Sequence, residues 1–176
     1  MHGARISVAG EYQTLAGAMS SYKDGGIRSL RGFLVERLAK AVTAHGLSKP
    51  VLVPVPSSHG SIGRRGVDST AKLASDTATI IGGTSVPALR WSSRRQMQKK
   101  LDARERQRNM FQALNADKDA LPSGGSIVVV DDVLTTGATM GAALAALRNA
   151  GVSADWGSVI CATRQNPTET FSSSGR

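Results

Sequence analysis

The stretch Ile127 to Thr139, IVVVDDVLTTGAT, restricts the fold more than any other part of this 176-residue chain. Ile127 to Val130 are four consecutive β-favouring residues, the pattern of a strand covered on both faces, which belongs to parallel sheets flanked by helices. Two aspartates end the run. Thr135 to Thr139 then make a small, hydroxyl-rich loop that opens a helical pattern from about Ala138 to Ala150. In that pattern Met140, Ala143, Leu144 and Leu147 share a face, Arg148 lies near the negative end of the helix dipole, and Gly151 supplies the stop. A strand, a tight loop and a helix in that order are the unit of a doubly wound α/β sheet, whose ligands bind beyond the C-terminal strand ends.

The rest of the chain repeats the alternation. Ile27, Leu30, Leu34, Leu38 and Ala41 recur at helical steps and predict a helix over Ile27 to His45, entered from a Gly25-Gly26 turn. Val51 to Val55 reads as a short buried strand ended by Pro54 and Pro56. A Gly/Ser-rich loop from Ser57 to Gly66 leads to a helix near Asp68 to Ile81, stopped by Gly82-Gly83. Val86 to Trp91 and Trp156 to Ala162 are further strand patterns, and Arg95 to Leu114 is charged enough for an exposed helix or a mobile flap. One domain over residues 1–170 is expected, with a small N-terminal hood region and a disordered tail over 171–176.

Charge narrows the class of partner. The formal net charge is +9, and Arg90 to Asn109 alone carries eight Lys/Arg against Asp102 and Glu105, a balance of +6. Such a segment suits phosphates on a small molecule or a nucleic acid, although a solvated basic face has the same composition. No run approaches the roughly 20 apolar residues of a membrane span. The N-terminus lacks the apolar core of a secretory leader and Cys161 stands alone, so a cytoplasmic location is expected.

Within the 127–139 segment the two halves suit opposite chemistries. Thr135, Thr136, Gly137, Ala138 and Thr139 can wrap a phosphate with amides and hydroxyls at a helix N-terminus, and Gly137 lets the backbone come close. Asp131 and Asp132 would repel that phosphate. They suit sugar hydroxyls or a hydrated Mg²⁺ held through water. An acidic strand end beside a self-satisfied helix cap has the same spacing.

The thirteen residues resemble the complete phosphoribosyl diphosphate fingerprint of type I phosphoribosyltransferases. Similarity to the ComF-like branch of that family (competence protein ComF and amidophosphoribosyltransferase-like proteins) extends along the chain. It rests on Tyr12, the Tyr22-Lys23-Asp24-Gly25-Gly26 turn, Val53 to Pro56, Arg65-Gly66, Gln98 with Leu101, and Arg106 with Asn109 and Phe111. Members of that branch commonly begin with a four-cysteine zinc ribbon, absent here. Val67 and Asp68 stand where Phe and Asn are usual, and Arg95 where Thr is common.

The resemblance implies a type I phosphoribosyltransferase fold and a Mg²⁺-dependent enzyme. It would bind 5-phosphoribosyl diphosphate and pass the phosphoribosyl group to an unidentified acceptor. Asp131, Asp132 and Thr135 would be catalytic, with the Asp pair meeting Mg²⁺ through water and Thr135 to Thr139 holding the 5-phosphate. Pro56, Ser57, Ser58 and Arg65 would line the diphosphate loop, with Arg94, Lys99 and Arg104 on a flap over it. In 6-oxopurine salvage relatives an acidic base and a lysine stand where this chain has Thr135 and Ala138, which disfavours that acceptor class. The alternative is a non-catalytic ComF-like phosphoribosyl-binding protein acting with nucleic acid or a DNA-processing partner. A homodimer is left open.

Four other residues read as structural. Cys161, in VICA, fits a buried strand, His59 an exposed loop, and Trp91 and Trp156 packing positions. His2 and His45 offer no partner legible from spacing.

Overall fold

A computed structural model describes residues 3–23, 25–57, 68–92 and 114–163. Its framework is a five-stranded sheet of order β1-β7-β6-β2-β3, parallel throughout. The strands are β1 (Arg5–Glu11), β2 (Val51–Pro54), β3 (Thr84–Ser85), β6 (Ile127–Leu134) and β7 (Trp156–Ala162). A separate antiparallel ribbon joins β4 (Leu89–Trp91) to β5 (Leu114–Ala116). The helices are α1 (Tyr12–Lys23), α2 (Leu30–Thr43), α3 (Ser69–Ile81) and α4 (Ala138–Asn149), and a 3₁₀ turn spans Lys118–Ala120.

Two hydrophobic layers sandwich the sheet. On one side Val51, Val53, Ile127 and Val129 pack with Met140, Ala143, Leu144 and Leu147 of α4. On the other, Leu52, Val128 and Val130 pack with Leu15 and Met19 of α1, Leu34 and Leu38 of α2, and Leu73 and Ala78 of α3. The alternation of Ile127 to Val130 between the layers explains why all four are apolar: each face of the strand meets a helix. The doubly wound architecture expected from the alternation is therefore present. The helical face assigned to Met140, Ala143, Leu144 and Leu147 is wholly buried.

Boundaries shift where tertiary pairing decides them. The strand expected to end at Val130 runs on to Leu134, because β7 continues beside it with Val133 opposite Cys161 and Leu134 opposite Ala162. The helix expected from Ile27 begins at Leu30, and Ile27 is exposed. The strand expected over Val86 to Trp91 divides at Pro87: Val86 N–H still bonds to Leu52 O (2.9 Å), whereas Leu89–Trp91 turns away to pair with β5. Leu114, placed at the end of a charged flap, is a buried strand residue. The N-terminal segment, expected as a hood, supplies the edge strand β1 and the helix α1 beside it. The tail over 171–176 lies outside the described residues.

Candidate phosphoribosyl site

The end of β6 is where the sheet changes character. Through Val130 its side chains alternate between the two layers, but Val133 packs with the layer of Val130, and Leu134 joins the layer of Ile127 and Val129. The break falls at the acid pair. Asp131 Oδ1 accepts Asp132 N–H and Asp132 Oδ1 accepts Val133 N–H, both at 2.9 Å, so each carboxylate folds onto the amide that follows it. Both side chains are only partly buried. Burial pushes the Asp131 carboxyl up to about 7, with Lys23 opposing the shift and Asp68 adding to it. Asp132 Oδ2 is ion-paired with Lys23 Nζ, and Cys161 Sγ lies 3.9 Å from Asp132 O.

The loop that follows is shaped by Gly137. Its φ of 72° and ψ of −1° are left-handed, a conformation glycine adopts without a Cβ clash, and the residue is buried at the N-cap of α4. Among the described residues no side chain caps this helix, and its first turn carries no acid. The first-turn amides of an α-helix have no partner within the helix, so the positive end of α4 opens onto the exposed residues Thr135 and Thr136. Ala138 N–H makes only a long contact to Thr136 Oγ1 at 3.4 Å. The base of the loop is tied down: Thr163 N–H donates to Leu134 O (2.9 Å) and Thr163 Oγ1 to Thr135 O (3.3 Å). Gly157 of β7 brings the start of α4 close, since a Cβ there would stand 3.0 Å from Met140 Sδ.

The neighbouring strand delivers the other wall. Val55 N–H donates to Val130 O at 2.9 Å, so Pro56 and Ser57 emerge beside Asp131. Two side chains fix them. Asp68 caps α3 by accepting Thr70 N–H (3.0 Å) and Ala71 N–H (3.1 Å), and also accepts Ser57 N–H (2.9 Å) and Ser57 Oγ–H (2.8 Å). Trp91 Nε1–H is shared between Pro56 O (3.0 Å) and Ser57 O (3.1 Å). Both donors of Ser57 thus point at Asp68.

The structure brings Pro56, Ser57, Asp131, Asp132 and the Thr135 to Thr139 loop to adjoining strand ends. Ser58, His59, Arg65, Arg94, Lys99 and Arg104 lie outside the described residues. Asp68, Thr163 and the role of Trp91 were not legible as site features in the sequence, where Lys23 stands in the Tyr22 to Gly26 motif with no role assigned. The Asp68 signal was present as an acid just before a helix. The others depend on contacts remote in sequence. Cys161 is buried with its thiol pushed up to about 11 by burial, the inert strand residue its neighbours implied.

Among the described residues no group of three or more His, Cys, Asp or Glu could hold a metal ion. The Asp131–Asp132 pair fits Mg²⁺ in the mode where one or two carboxylates act together with water and ligand oxygens. No helix of the described chain is long and apolar enough to cross a membrane.

A doubly wound parallel sheet with a helix N-terminus and an acid pair at one strand end places the chain among α/β proteins. The family model for the phosphoribosyl transferase domain matches residues 68–169, more than half of the chain, and the chain belongs to that family. Membership makes it a glycosyltransferase-type enzyme drawing on 5-phosphoribosyl diphosphate. Solved structures to which the chain is similar include two adenine phosphoribosyltransferases. One is an adenine phosphoribosyltransferase at 17% identity and a TM-score of 0.48, covering 76% of this chain and 72% of that one. The other is the adenine phosphoribosyltransferase of Thermoanaerobacter pseudethanolicus, at 18% identity and a TM-score of 0.48, covering 78% and 82%. No curated protein matches the sequence.

Proposed function

We propose that the chain is a Mg²⁺-dependent phosphoribosyltransferase of the ComF-like branch, working on 5-phosphoribosyl diphosphate bound across the ends of β2 and β6. The observation that carries this reading is the juxtaposition of an uncapped helix N-terminus at Gly137 with two carboxylates only a few residues earlier on the same strand. A 5-phosphate would sit on the amides and hydroxyls of Thr135 to Thr139. Asp131 and Asp132 would accept the ribose hydroxyls and meet hydrated Mg²⁺ through water. The diphosphate would lie toward Pro56, Ser57, Ser58 and Arg65, with Arg94, Lys99 and Arg104 over it.

In the reaction an acceptor lone pair forms a bond to the anomeric carbon while the bond from that carbon to the diphosphate oxygen breaks, and the electron pair leaves with diphosphate. Positive charge grows on the ribose ring and negative charge on the leaving group. The carboxylates would stabilise the first from the ribose side, and the basic residues expected on the diphosphate loop and flap would stabilise the second. Mg²⁺, when bound, neutralises diphosphate charge. Thr135 has an exposed hydroxyl and is a weak proton acceptor, so the acceptor is a nucleophile that needs no carboxylate base from this loop position.

Diphosphate release, followed with 5-phosphoribosyl diphosphate, Mg²⁺ and a panel of nucleobases and amines, tests the reading. Turnover with one acceptor is expected. Binding of the donor without turnover, together with steeply salt-dependent binding of single-stranded nucleic acid, would instead favour a binding protein of the same branch that acts on nucleic acid.

A further inference from the structure

We propose that Lys23 is a positioning residue of the phosphoribosyl site, supplied by the N-terminal helix from outside the segment 68–169 that the family model matches. The inference rests on the functional reading above.

Lys23 is the last residue of α1. The helix is fixed on the sheet by Leu15 and Met19, which are buried in the same layer as Val128, Val130, Ile160 and Cys161. Its end is fixed as well: Gly25 N–H reaches back to Ser20 O and Ile27 N–H to Ser21 O, and Gly26 turns with φ of +66°. A Cβ at Gly25 would stand 2.8 Å from Ser21 O, so this turn is tight. These contacts stop the helix where the Lys23 ammonium meets Asp132 Oδ2. The two side chains are 19% and 13% exposed, so this ion pair is largely withdrawn from water, unlike the surface pair Lys72–Asp76.

The pairing makes the two acids unequal. Asp132 is held at both oxygens, by Lys23 and by Val133 N–H, whereas Asp131 accepts Asp132 N–H through Oδ1. Adjacent carboxylates repel, and a ligand bearing phosphates adds negative charge to the same end of the sheet. A cation fixed against one acid lowers that repulsion. It also holds Asp132 in one rotamer, so that the pair meets the ribose in a fixed arrangement. A partly buried charge left without its partner is costly, so Lys23 and Asp132 act as one unit.

A double-mutant cycle on the full chain tests this, with calorimetric titration of 5-phosphoribosyl diphosphate in Mg²⁺ and a thermal melt of each variant. Lys23→Met is expected to weaken binding at least tenfold, and Lys23→Arg to recover most of that loss. The double variant Lys23→Met with Asp132→Asn should bind no more weakly than Asp132→Asn alone, because the two losses share one cause. If either single variant fails to fold, the double variant, with neither charge buried alone, should still melt as a folded protein and carry the comparison with Lys23→Arg. Losses that multiply, Lys23→Met binding within twofold of the wild type, or Lys23→Arg binding no better than the double variant would overturn the inference while leaving the site reading intact. A wild-type chain that binds no 5-phosphoribosyl diphosphate would overturn both.

Discussion

Neighbouring strands of this sheet carry two polar clusters almost level with one another, and each treats its polar groups differently. Between β1 and β7, Ser158 is wholly buried, with Ser7 Oγ at 2.8 Å and His45 Nε2 at 3.1 Å. His45 Nε2 also lies 3.0 Å from both Ser7 Oγ and Gly157 O, and its ring packs against Trp156 at 5.0 Å. This set closes on itself, and burial holds the imidazole below its ordinary pKa, which keeps the ring neutral. One strand over, Asp131 stands opposite Val159, the residue after Ser158. There Asp68, Asp131 and Asp132 share a neighbourhood with Lys23, and the Asp131 carboxyl is pushed up to about 7. A closed neutral cluster serves the fold. Three carboxylates around one lysine among the described residues, one of them with its pKa raised, are the kind of cluster found where ligands bind.

The comparison breaks most readily at Asp131. Asp131→Asn should lower affinity for 5-phosphoribosyl diphosphate about 100-fold, on the order of 2–3 kcal/mol for hydrogen bonds to a charged group. The same variant should melt higher than the wild type at pH 8. The sign follows from linkage: a folded pKa near 7 against an ordinary 3.8 means that the folded state holds a proton the unfolded chain has lost. Stability attributable to Asp131 therefore falls as pH rises from about 4 to 7. The advantage of the Asp131→Asn variant should grow over that interval to about 1–3 kcal/mol, allowing for screening of a partly exposed group, and close again near pH 4.

Ser158→Ala should do the reverse. It removes a buried hydroxyl from the closed set and should cost about 1–3 kcal/mol in chemical denaturation, with binding of the donor unchanged within twofold. Asp68→Ala sharpens the boundary between the two kinds of cluster, since that carboxylate both caps α3 and receives Ser57. We expect about 1 kcal/mol of lost stability from the cap alone and a roughly tenfold loss of affinity as the Pro56–Ser57 turn loosens, read by melting and titration together. The smallest effect is at His45. With its pKa lowered, the unfolded chain takes up a proton before the folded one as pH drops through 6.5, so the stability the neutral ring provides is lost on the acid side. His45→Asn should therefore destabilise more at pH 7.5 than at pH 5, by about 1 kcal/mol or less.

Legibility from sequence followed the range of the interactions. Helix α3 was readable because its signals are local: Asp68 caps Thr70 and Ala71, and Gly82 takes φ of 68° at the other end. The core face of α4 followed from periodicity. The acid pair and the Thr135 to Thr139 segment were legible as a unit because they are consecutive in sequence, the pair on β6 and the loop directly after it. The extension of β6 to Leu134 was not, since it depends on β7 lying alongside. His45 had no partner legible from spacing because its partners are Ser7 and Ser158, 38 and 113 residues away. Lys23 reaches Asp132 through a helix whose place on the sheet is set by tertiary packing, which no spacing rule encodes.

If the acid pair at the end of β6 belongs to a phosphoribosyl diphosphate site, its loss abolishes binding of that compound. Calorimetric titration of this compound, with and without Mg²⁺, into the wild type and into the Asp131→Ala, Asp132→Ala double variant tests it most directly. Mg²⁺-dependent binding to the wild type is expected, and none to a double variant that still melts cooperatively. Equal affinity in the two proteins would contradict it.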